Sequence, residues 1–208
     1  TLNRPERKNA LTEAMRQRFC GLLSAAEHDP AVRALIVTAT DPVFTAGVDF
    51  NEVASQAPSA GAYDAQFAVN PGSALRAMSK PVIAAVEGIC AGAGAIVAMA
   101  SDLRLAAAGA RVAFLFNKVG LAGCDMGACA ILPRIIGAGR AAELLYTGRS
   151  MDGTEAERWG FYNKLCDPDK LLADTQALAQ SIAAGPTFAH AMTKRCIHQE
   201  WNMGIDEA

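Results

Sequence analysis

The chain has 208 residues, of which 51% are hydrophobic and 19% are charged. These values suit one globular domain with a sizeable core and room for a small helical appendage, and they exclude a disordered chain. The formal net charge of −2 leaves no basic stripe for nucleic acid. The uncharged apolar run at residues 88–101 is too short and too rich in glycine to span a bilayer. We therefore predict that neither nucleic acid nor a membrane is a partner.

The cysteines and histidines indicate the compartment and the chemistry. Six cysteines form no CxxC pair and no regular framework, which is typical of a reducing compartment, and we predict the cytoplasm. The three histidines lie near the ends of the chain without metal-ligand spacing, so we predict no metal site. The chain opens on Thr1, inside a motif and without Met. We expect the chain to be trimmed, and we leave open whether a targeting segment lies upstream of it.

The first quarter of the chain predicts a helix and then a strand. Apolar residues recur at helical spacing over residues 12–27, where Thr12 is a candidate N-cap and Asp29-Pro30 ends the pattern. Residues 33–38 form a short β-branched run that favours a buried strand. The loop at 41–49 contains a small-Gly pair that permits close approach to backbone. Residues 51–73 are polar and weakly patterned, and we expect a mobile helix-and-loop segment at the mouth of a site.

Residues 80–102, KPVIAAVEGICAGAGAIVAMASD, form the segment around which the rest is organised. An apolar strand at 81–86 runs into a glycine-rich turn and then into a helix of small residues. Backbone N–H groups at such a helix start are free to bind a negative charge. The charge can be a resting phosphate or an oxyanion formed during a reaction.

The remaining chain predicts one more strand, at 102–107, a loosely alternating stretch at 111–119, and then mainly helices. A second glycine-rich turn at 120–127 leads into a helix that ends near residue 136. Further helices are predicted at 140–147, 152–159, 170–183 and 187–201. Strand, turn and helix alternate in the first two thirds, and helices alone fill the last third. We therefore predict an α/β core over residues 1–140 and a helical C-terminal region over residues 141–208.

Two loops are both rich in glycine and small residues: FTAGVD at 44–49 and GICAGAGA at 88–95. Each follows a strand and offers backbone N–H groups beside glycines. If the strands are neighbours, the amides of Val48 and Ala93 converge on one oxygen atom, where two donors stabilise an oxyanion by about 3 kcal/mol each. The alternative interpretation is that each glycine only permits a turn or tight packing.

Six motifs in order show which family the chain resembles. They are NRPERKNAL at 3–11, FTAGVD at 44–49, KPVIAAVEGICAGAGA at 80–95, LPRIIG at 132–137, AAELLYTGRSM at 141–151 and AERWGFYNKL at 156–165. These motifs resemble those of the crotonase (enoyl-CoA hydratase/isomerase) superfamily, and the resemblance extends over essentially the whole chain. The resemblance implies a spiral of β-β-α units whose C-terminal helices support a homotrimer or a dimer of trimers. It also implies a lyase or isomerase that acts on acyl-CoA thioesters, with coenzyme A carried by the substrate and no separate cofactor.

The resemblance also assigns roles to individual residues. Val48 and Ala93 match the two backbone donors that hold the thioester enolate. Residues that match the substrate and CoA pocket lie around them, with Lys8 facing a CoA phosphate; the set is Lys8, Ala10, Ala46, Gly47, Val48, Gly92, Ala93 and Phe116. The chain stops short of the family's usual C-terminus, which agrees with a trimmed chain.

The catalytic carboxylates of the family are missing. Hydratases of this family add water with two glutamates, one activating water and the other handling the α-proton. Their positions hold Ile96 and Phe116, so the standard hydration mechanism is not expected. Asp125 matches a working aspartate of some relatives, although one extra residue separates it from Gly120. The alternative interpretation makes Asp125 the N-cap of the next helix, accepting the N–H of Ala128.

Other candidate residues have structural interpretations. We expect Asp49 to hold its own loop by backbone hydrogen bonds, Glu87 to be structural and Glu143 to serve packing or an interface. Phe114 and Phe116 are either core residues or the wall of a pocket for an apolar or aromatic acyl group.

Three alternatives to proton transfer by Asp125 stay open. The first is nucleophilic attack by Asp125 on an aromatic acyl-CoA, as in the dehalogenases of the superfamily; it ranks lower because no histidine stands between His28 and His190. The second is an acyl-CoA-binding oligomer without catalysis. The third, a dinucleotide loop at 92–94, is disfavoured because Val97 stands where a GxGxxG motif needs glycine.

Overall fold

A computed structural model describes residues 1–40, 43–55, 70–123 and 125–207, and for residues 53–55 and 125 it describes the backbone alone. Part of the predicted segment at 51–73, namely residues 56–69, therefore lies outside the described residues. The predictions for the other segments can be compared with the structure element by element.

Helix α1 confirms the first predicted element. It spans Glu13–His28, and the Thr12 side chain accepts a hydrogen bond from the Met15 N–H at 3.1 Å. This is the N-cap geometry that the sequence indicates, since a threonine oxygen satisfies an N–H that has no partner inside the helix. The C-cap is Asp29, whose extended backbone ends the helix before Pro30.

Strands alternate with helices over the first two thirds of the chain. The strands are β1 (Leu35–Val37), β2 (Val82–Val86), β3 (Ile89–Ala91), β4 (Leu103–Ala107), β5 (Arg111–Ala113), β6 (Ser150–Asp152) and β7 (Lys164–Cys166). The helices after α1 are α2 (Phe50–Ser55), α3 (Pro71–Ala77), α4 (Ala93–Ala100), α5 (Ala128–Ile136), α6 (Ala138–Thr147), α7 (Gly153–Arg158), α8 (Leu171–Ala184) and α9 (Thr187–Gln199). Short 3₁₀ turns lie at Pro5–Arg7, Phe116–Val119, Asp125–Gly127, Pro168–Lys170 and Glu200–Asn202.

The strands form two sheets within the described residues. One is parallel with the order β1-β2-β4-β7, and the other has the order β3-β5-β6, in which β5 and β6 are antiparallel. Consecutive strand pairs divide between the sheets: β2 and β4 join the first, while β3 and β5 join the second. Gly88, at φ +60°, turns the chain between β2 and β3. Two successive β-β units are thus stacked, which agrees with the expected spiral.

The segment at residues 80–102, around which we expected the chain to be organised, lies in the centre of the molecule. All five residues of β2 and all eight residues of α4 are buried. The small side chains of α4 permit this, because a Cβ atom on Gly94 would collide with the side chain of Thr45. The start of α4 is therefore packed directly against the loop at 43–49.

The prediction that helices alone fill the last third is wrong, because β6 and β7 lie there. β7 completes the parallel sheet by pairing Leu105 with Lys164 and Ala107 with Cys166. These three-residue strands owe their conformation to their partners, so they carry little local pattern. From Pro168 to Asn202 the described elements are helical, which confirms a helical C-terminal part.

The described residues also bear on membranes and metals. No helix among them has the length and apolar character needed to cross a membrane. The same residues contain no cluster of three or more histidine, cysteine or acidic side chains arranged to hold a metal ion.

Candidate functional site

The loop at 43–49 is joined to the strand that leads into α4. Phe44 donates its N–H to the Glu87 carbonyl at 2.8 Å, and Thr45 donates to Ile89 at 3.0 Å. Ala91 donates back to the Thr45 carbonyl at 3.0 Å. The two glycine-bearing loops are therefore neighbours, as the convergence of their amides requires.

Gly47 lies where the two loops touch. Its φ of +102° favours glycine, and a Cβ atom there would be 3.0 Å from the Ala91 carbonyl oxygen and 3.4 Å from the Ala93 nitrogen. On the other loop Gly92 has φ +52°, and its missing Cβ would lie 3.7 Å from the Gly47 α-carbon. The two backbones thus approach to van der Waals contact, which leaves no room for side chains between them.

Hydrogen bonding distinguishes the amides of these loops. The Gly47 N–H donates to the Thr45 hydroxyl at 3.0 Å, and the Gly92 N–H donates to the Ala113 carbonyl at 3.0 Å. The N–H groups of Val48 and Ala93 donate to no other described residue. Ala93 is the first residue of α4, so its N–H has no intrahelical acceptor and lies at the positive end of the helix dipole. Within the described part of the chain, the Val48 and Ala93 amides are thus left without an acceptor, as are those of Gly94 and Ala95 in the same first turn of α4.

A turn at the start of the chain brings the CoA-pocket candidates to the same place. Lys8, exposed and at φ +52°, accepts the Ala46 N–H on its carbonyl at 3.0 Å. Leu11 donates to the Gly47 carbonyl at 2.7 Å, which places Ala10 beside the loop at 43–49. The structure therefore collects Lys8, Ala10, Ala46 and Gly47 around the contact between the loops.

Asn9 fixes this turn and was missed by sequence reasoning. It is fully buried, and its Oδ1 accepts the Arg4 N–H at 2.6 Å. Its Nδ2 donates to the carbonyls of Thr40 at 2.9 Å and Val43 at 2.7 Å. Its φ of +52° is a conformation that asparagine tolerates better than most residues. An asparagine within a Pro-containing turn was the available signal.

Asp49 joins the same turn to the loop. Its carboxylate accepts the Arg4 guanidinium at 2.6 Å and the Asn51 N–H at 3.1 Å. The prediction that Asp49 holds its own loop is confirmed, while Arg4, which also donates to the Ala10 carbonyl at 3.1 Å, was missed. The hydrogen bond from Arg4 lowers the pKa of Asp49 below its ordinary value.

The residues at the glutamate positions are apolar and buried. Ile96 lies on α4 with 0% of its surface exposed, and Phe116, which opens a 3₁₀ turn, has 5% exposed. Ile96 packs against α3 so closely that a Cβ atom on Gly72 would be 2.8 Å from its Cγ2. Phe114 stacks edge-to-face on Phe161 at 6.1 Å between ring centroids. Both phenylalanines belong to the main core, and the role of Phe116 as a wall of the acyl pocket stays a prediction.

Asp125 begins a 3₁₀ turn, Asp125–Gly127, and its side chain lies outside the described residues. The N-cap position of α5 is held by Gly127, at φ +86°, so Asp125 does not occupy it, and a hydrogen bond from Ala128 to the Asp125 side chain lies outside the described residues. Met126 packs against the cluster that contains Ala93. The turn is therefore close to Ala93, and a catalytic role for Asp125 stays a prediction.

A cleft of about 430 Å³, here called the arginine cleft, opens beside these elements. Gly72, Ala100 and Met126 line the side of the cleft that faces helix α4 and the loops at 43–49 and 88–95. Arg76, Arg134, His198 and Trp201 line it elsewhere, together with Asn70, Ser73, Gly127, Ala130, Ile131 and Asn202.

Comparison with known proteins defines the family. The family described as enoyl-CoA hydratase/isomerase matches residues 1–206. The fold is the crotonase fold: an enoyl-CoA hydratase from Bacillus anthracis superposes with a TM-score of 0.94 at 27% identity, over 99% of this chain and 80% of that one. An enoyl-CoA hydratase from Mycobacterium smegmatis gives 0.91 at 32% identity, over 98% and 79%. The chain belongs to the enoyl-CoA hydratase/isomerase family.

One sequence relative has a different activity in its name. The 1,2-epoxyphenylacetyl-CoA isomerase of Escherichia coli (strain K12) is 36% identical over 211 residues, covering 99% of this chain and 80% of the relative. The crotonyl-CoA hydratase of Syntrophomonas wolfei is 35% identical, covering 100% and 80%. Both isomerase and hydratase names thus occur at similar identity.

Proposed function

We propose that this protein is an acyl-CoA isomerase-type enzyme that stabilises a thioester enolate with the N–H groups of Val48 and Ala93. The observation that carries the proposal is the pair of amides without a described acceptor on two contacting loops. The amides that precede them, those of Gly47 and Gly92, already have acceptors, so Val48 and Ala93 are the first available donors on their loops.

The proposed mechanism starts from the thioester carbonyl. Its oxygen accepts hydrogen bonds from Val48 and Ala93, and these bonds strengthen as the α-proton leaves and the enolate develops. Asp125 takes the proton and returns it at another carbon, which shifts a bond without adding water. Lys8 and the backbone at Ala10 and Ala46 hold the coenzyme A part of the substrate, and Phe116 bounds the acyl group. No separate cofactor takes part.

Hydration fits this chain less well than isomerisation. Adding water requires one group to activate the water and another to transfer the α-proton. Ile96 and Phe116 cannot transfer protons, and both are buried where the family has its glutamates. The isomerase name of the 36% identical relative supports the same reading.

The test is α-proton exchange into acyl-CoA in deuterated water, followed by mass spectrometry. The parent protein should exchange the proton, and Asp125→Asn should lower the exchange rate at least about 100-fold because it removes the only proposed base. Asp169→Asn, in an exposed 3₁₀ turn, is the control and should exchange like the parent. Full exchange by Asp125→Asn would refute the role of Asp125.

A second candidate function is acyl-CoA binding without catalysis, and the apolar residues at both glutamate positions favour it. Binding of acyl-CoA with no exchange in the parent protein would establish this candidate and overturn the first. Nucleophilic attack by Asp125 would instead leave a covalent Asp125 adduct, detectable by mass spectrometry. Assembly as a homotrimer or dimer of trimers and a cytoplasmic location belong to the same proposal; light scattering measures the assembly.

A further inference from the structure

The arginine cleft contains two guanidinium groups held on one indole ring. The Cζ atoms of Arg76 and Arg134 lie 5.3 Å and 5.0 Å from the centroid of the Trp201 ring. Stacking on an aromatic face fixes the direction of a guanidinium plane and leaves its N–H edge free to bind an anion.

The positive charge of the cleft is not neutralised by its own lining. None of the described residues that line it is acidic. The nearest carboxylate to influence Arg76 belongs to Asp102, which already accepts hydrogen bonds from Lys194 and the Val82 N–H at 2.8 Å each. Burial and the charge of Arg134 lower the pKa of Arg76. An anion in the cleft would relieve this repulsion.

Arg76 also has unused donors. Among the described residues its guanidinium makes no hydrogen bond, although the side chain is half-buried. Arg134 donates to the Ala130 carbonyl of its own helix, which uses one donor of its five. A half-buried guanidinium without a partner is costly unless a ligand supplies acceptors.

The cleft adjoins the proposed acyl site. A Cβ atom on Gly72 would lie 2.8 Å from Ile96 Cγ2 and 3.7 Å from Ala100 Cβ. Ala100 lines the cleft and lies four residues after Ile96, so the cleft starts one helical turn beyond Ile96. Met126 lines the cleft and also packs against the cluster of Ala93. An α-helix rises about 1.5 Å per residue, so Ala100 lies about 10 Å along α4 from the Ala93 donor.

We infer that the arginine cleft binds a carboxylate at the far end of the acyl chain, so that the substrate is the mono-CoA thioester of a dicarboxylic acid. The inference rests on the proposed acyl-CoA site and adds the substrate class to it. Arg76 and Arg134 donate to the carboxylate through their N–H edges, a pairing in which the fork of arginine matches the two carboxylate oxygens. An acyl chain ending in a methyl group leaves both guanidinium groups without an acceptor.

The test is calorimetric binding of matched ligands to the full chain. Adipoyl-CoA and suberoyl-CoA are compared with hexanoyl-CoA and octanoyl-CoA, which have the same chain lengths without the terminal carboxylate. The parent should bind at least one dicarboxylic ligand about tenfold or more tightly than its methyl-ended match, as a hydrogen-bonded charge pair predicts. Arg76→Met and Arg134→Met should each remove most of this preference while keeping the binding of the methyl-ended ligands.

Arg140→Met is the matched control, because Arg140 stacks on Trp159 at 5.0 Å, outside the arginine cleft. It should keep the full preference. Circular dichroism checks whether each variant folds. If Arg76→Met does not fold, Arg134→Met still tests the inference, because Arg134 is exposed and its replacement should not disturb folding.

Two outcomes would overturn the inference. One is equal binding of dicarboxylic and methyl-ended ligands by the parent. The other is an equal loss of affinity for coenzyme A alone and for every acyl-CoA in the arginine variants, which would make the cleft a phosphate site of the CoA moiety. Proton exchange is measured separately, so a preference without exchange would retain the ligand class while rejecting the enolate chemistry.

Discussion

Gly47 and Ala93 belong to different loops whose backbones lie so close together that no side chain fits between them. A Cβ atom on Gly47 would lie 3.4 Å from the Ala93 nitrogen and 3.0 Å from the Ala91 oxygen. The Gly47 carbonyl shares its peptide plane with the Val48 N–H, and it accepts the Leu11 N–H at 2.7 Å, which fixes the direction of the Val48 N–H. A glycine at this position therefore sets the geometry of both proposed donors.

Replacing Gly47 with alanine should damage the proposed chemistry more than the fold. The new Cβ must displace the second loop, and the φ of +102° is strained for alanine. Loss of one oxyanion donor typically costs about 10²- to 10³-fold in rate, so exchange of the α-proton should fall by about that factor. Calorimetry should show that acyl-CoA still binds.

Gly139→Ala is the matched control for this substitution. A Cβ on Gly139 would meet no atom within 4 Å, and the residue lies inside helix α6. Exchange should be unchanged, and the free energy of unfolding should rise by about 0.5 kcal/mol or stay the same. Parent-like exchange by Gly47→Ala would refute the proposed oxyanion geometry.

Asn9→Ala should destabilise the protein through backbone groups. The substitution leaves the Thr40 and Val43 carbonyls and the Arg4 N–H without their buried partner. Each such group costs about 1 kcal/mol or more, so urea unfolding should show a loss of about 3 kcal/mol. Asn3→Ala, which removes an exposed contact with the Thr40 hydroxyl, should cost less than about 1 kcal/mol. Equal losses would contradict the structural role of Asn9.

At the scale of elements, helix α9 is held to the sheet and to α3 by one buried lysine. The Lys194 ammonium donates to the carbonyls of Leu75 at 3.2 Å and Lys80 at 3.1 Å. Its third bond, at 2.8 Å, is to the Asp102 carboxylate, which also caps the start of β2 through the Val82 N–H. One side chain thus ties three elements together.

Lys194→Met should lower the free energy of unfolding by about 3 kcal/mol. The methionine fills a similar volume, but Asp102 loses its paired charge in a largely buried position. Lys170→Met is the control, since the Lys170–Asp167 pair is exposed, and it should change stability by less than about 0.5 kcal/mol. Urea titration measures both, and a small effect at Lys194 would show that α9 is held mainly by its apolar contacts.

Elements with local signals could be predicted from the sequence. Helix α1 was found because its cap, its apolar face and the Asp29-Pro30 stop all lie within the helix or next to it. Strands β6 and β7 were missed because three residues are too few to show a period, and their partners lie in β5 and β4. The role of Asn9 was also missed, since Thr40 and Val43 are 31 and 34 residues away.

At the scale of the whole molecule, ion pairs that lower the pKa of carboxylates make the stability depend on pH. Arg4 lowers the pKa of Asp49, Lys164 lowers that of Asp174, and Arg149 lowers that of Glu155. A carboxylate with a lowered folded-state pKa binds fewer protons than in the unfolded chain. It therefore contributes stability above its unfolded pKa, near 4, and loses that contribution as the pH falls through the folded pKa.

The contribution of these three carboxylates should accordingly be nearly constant from about pH 5 to pH 7 and should decline below about pH 4. Asp49→Asn removes one of these groups, so its decline should be shallower than that of the parent in urea titrations at several pH values. Asp169→Asn, whose carboxylate forms no ion pair with a described residue, should follow the parent curve. A parent-like slope in Asp49→Asn would show that the ion pair with Arg4 does not stabilise the folded state.

The position of β7 has a consequence for synthesis on the ribosome. Until Lys164–Cys166 has been made, the β4 edge at Leu105, Ala106 and Ala107 has no partner strand on that side. About 60 residues separate the two strands, so at about 5–20 residues per second the nascent chain presents an open apolar edge for about 3–12 s. Unpaired edges of this kind attract other chains. The yield of folded protein should therefore respond to the rate of translation and to chaperones that bind extended apolar segments.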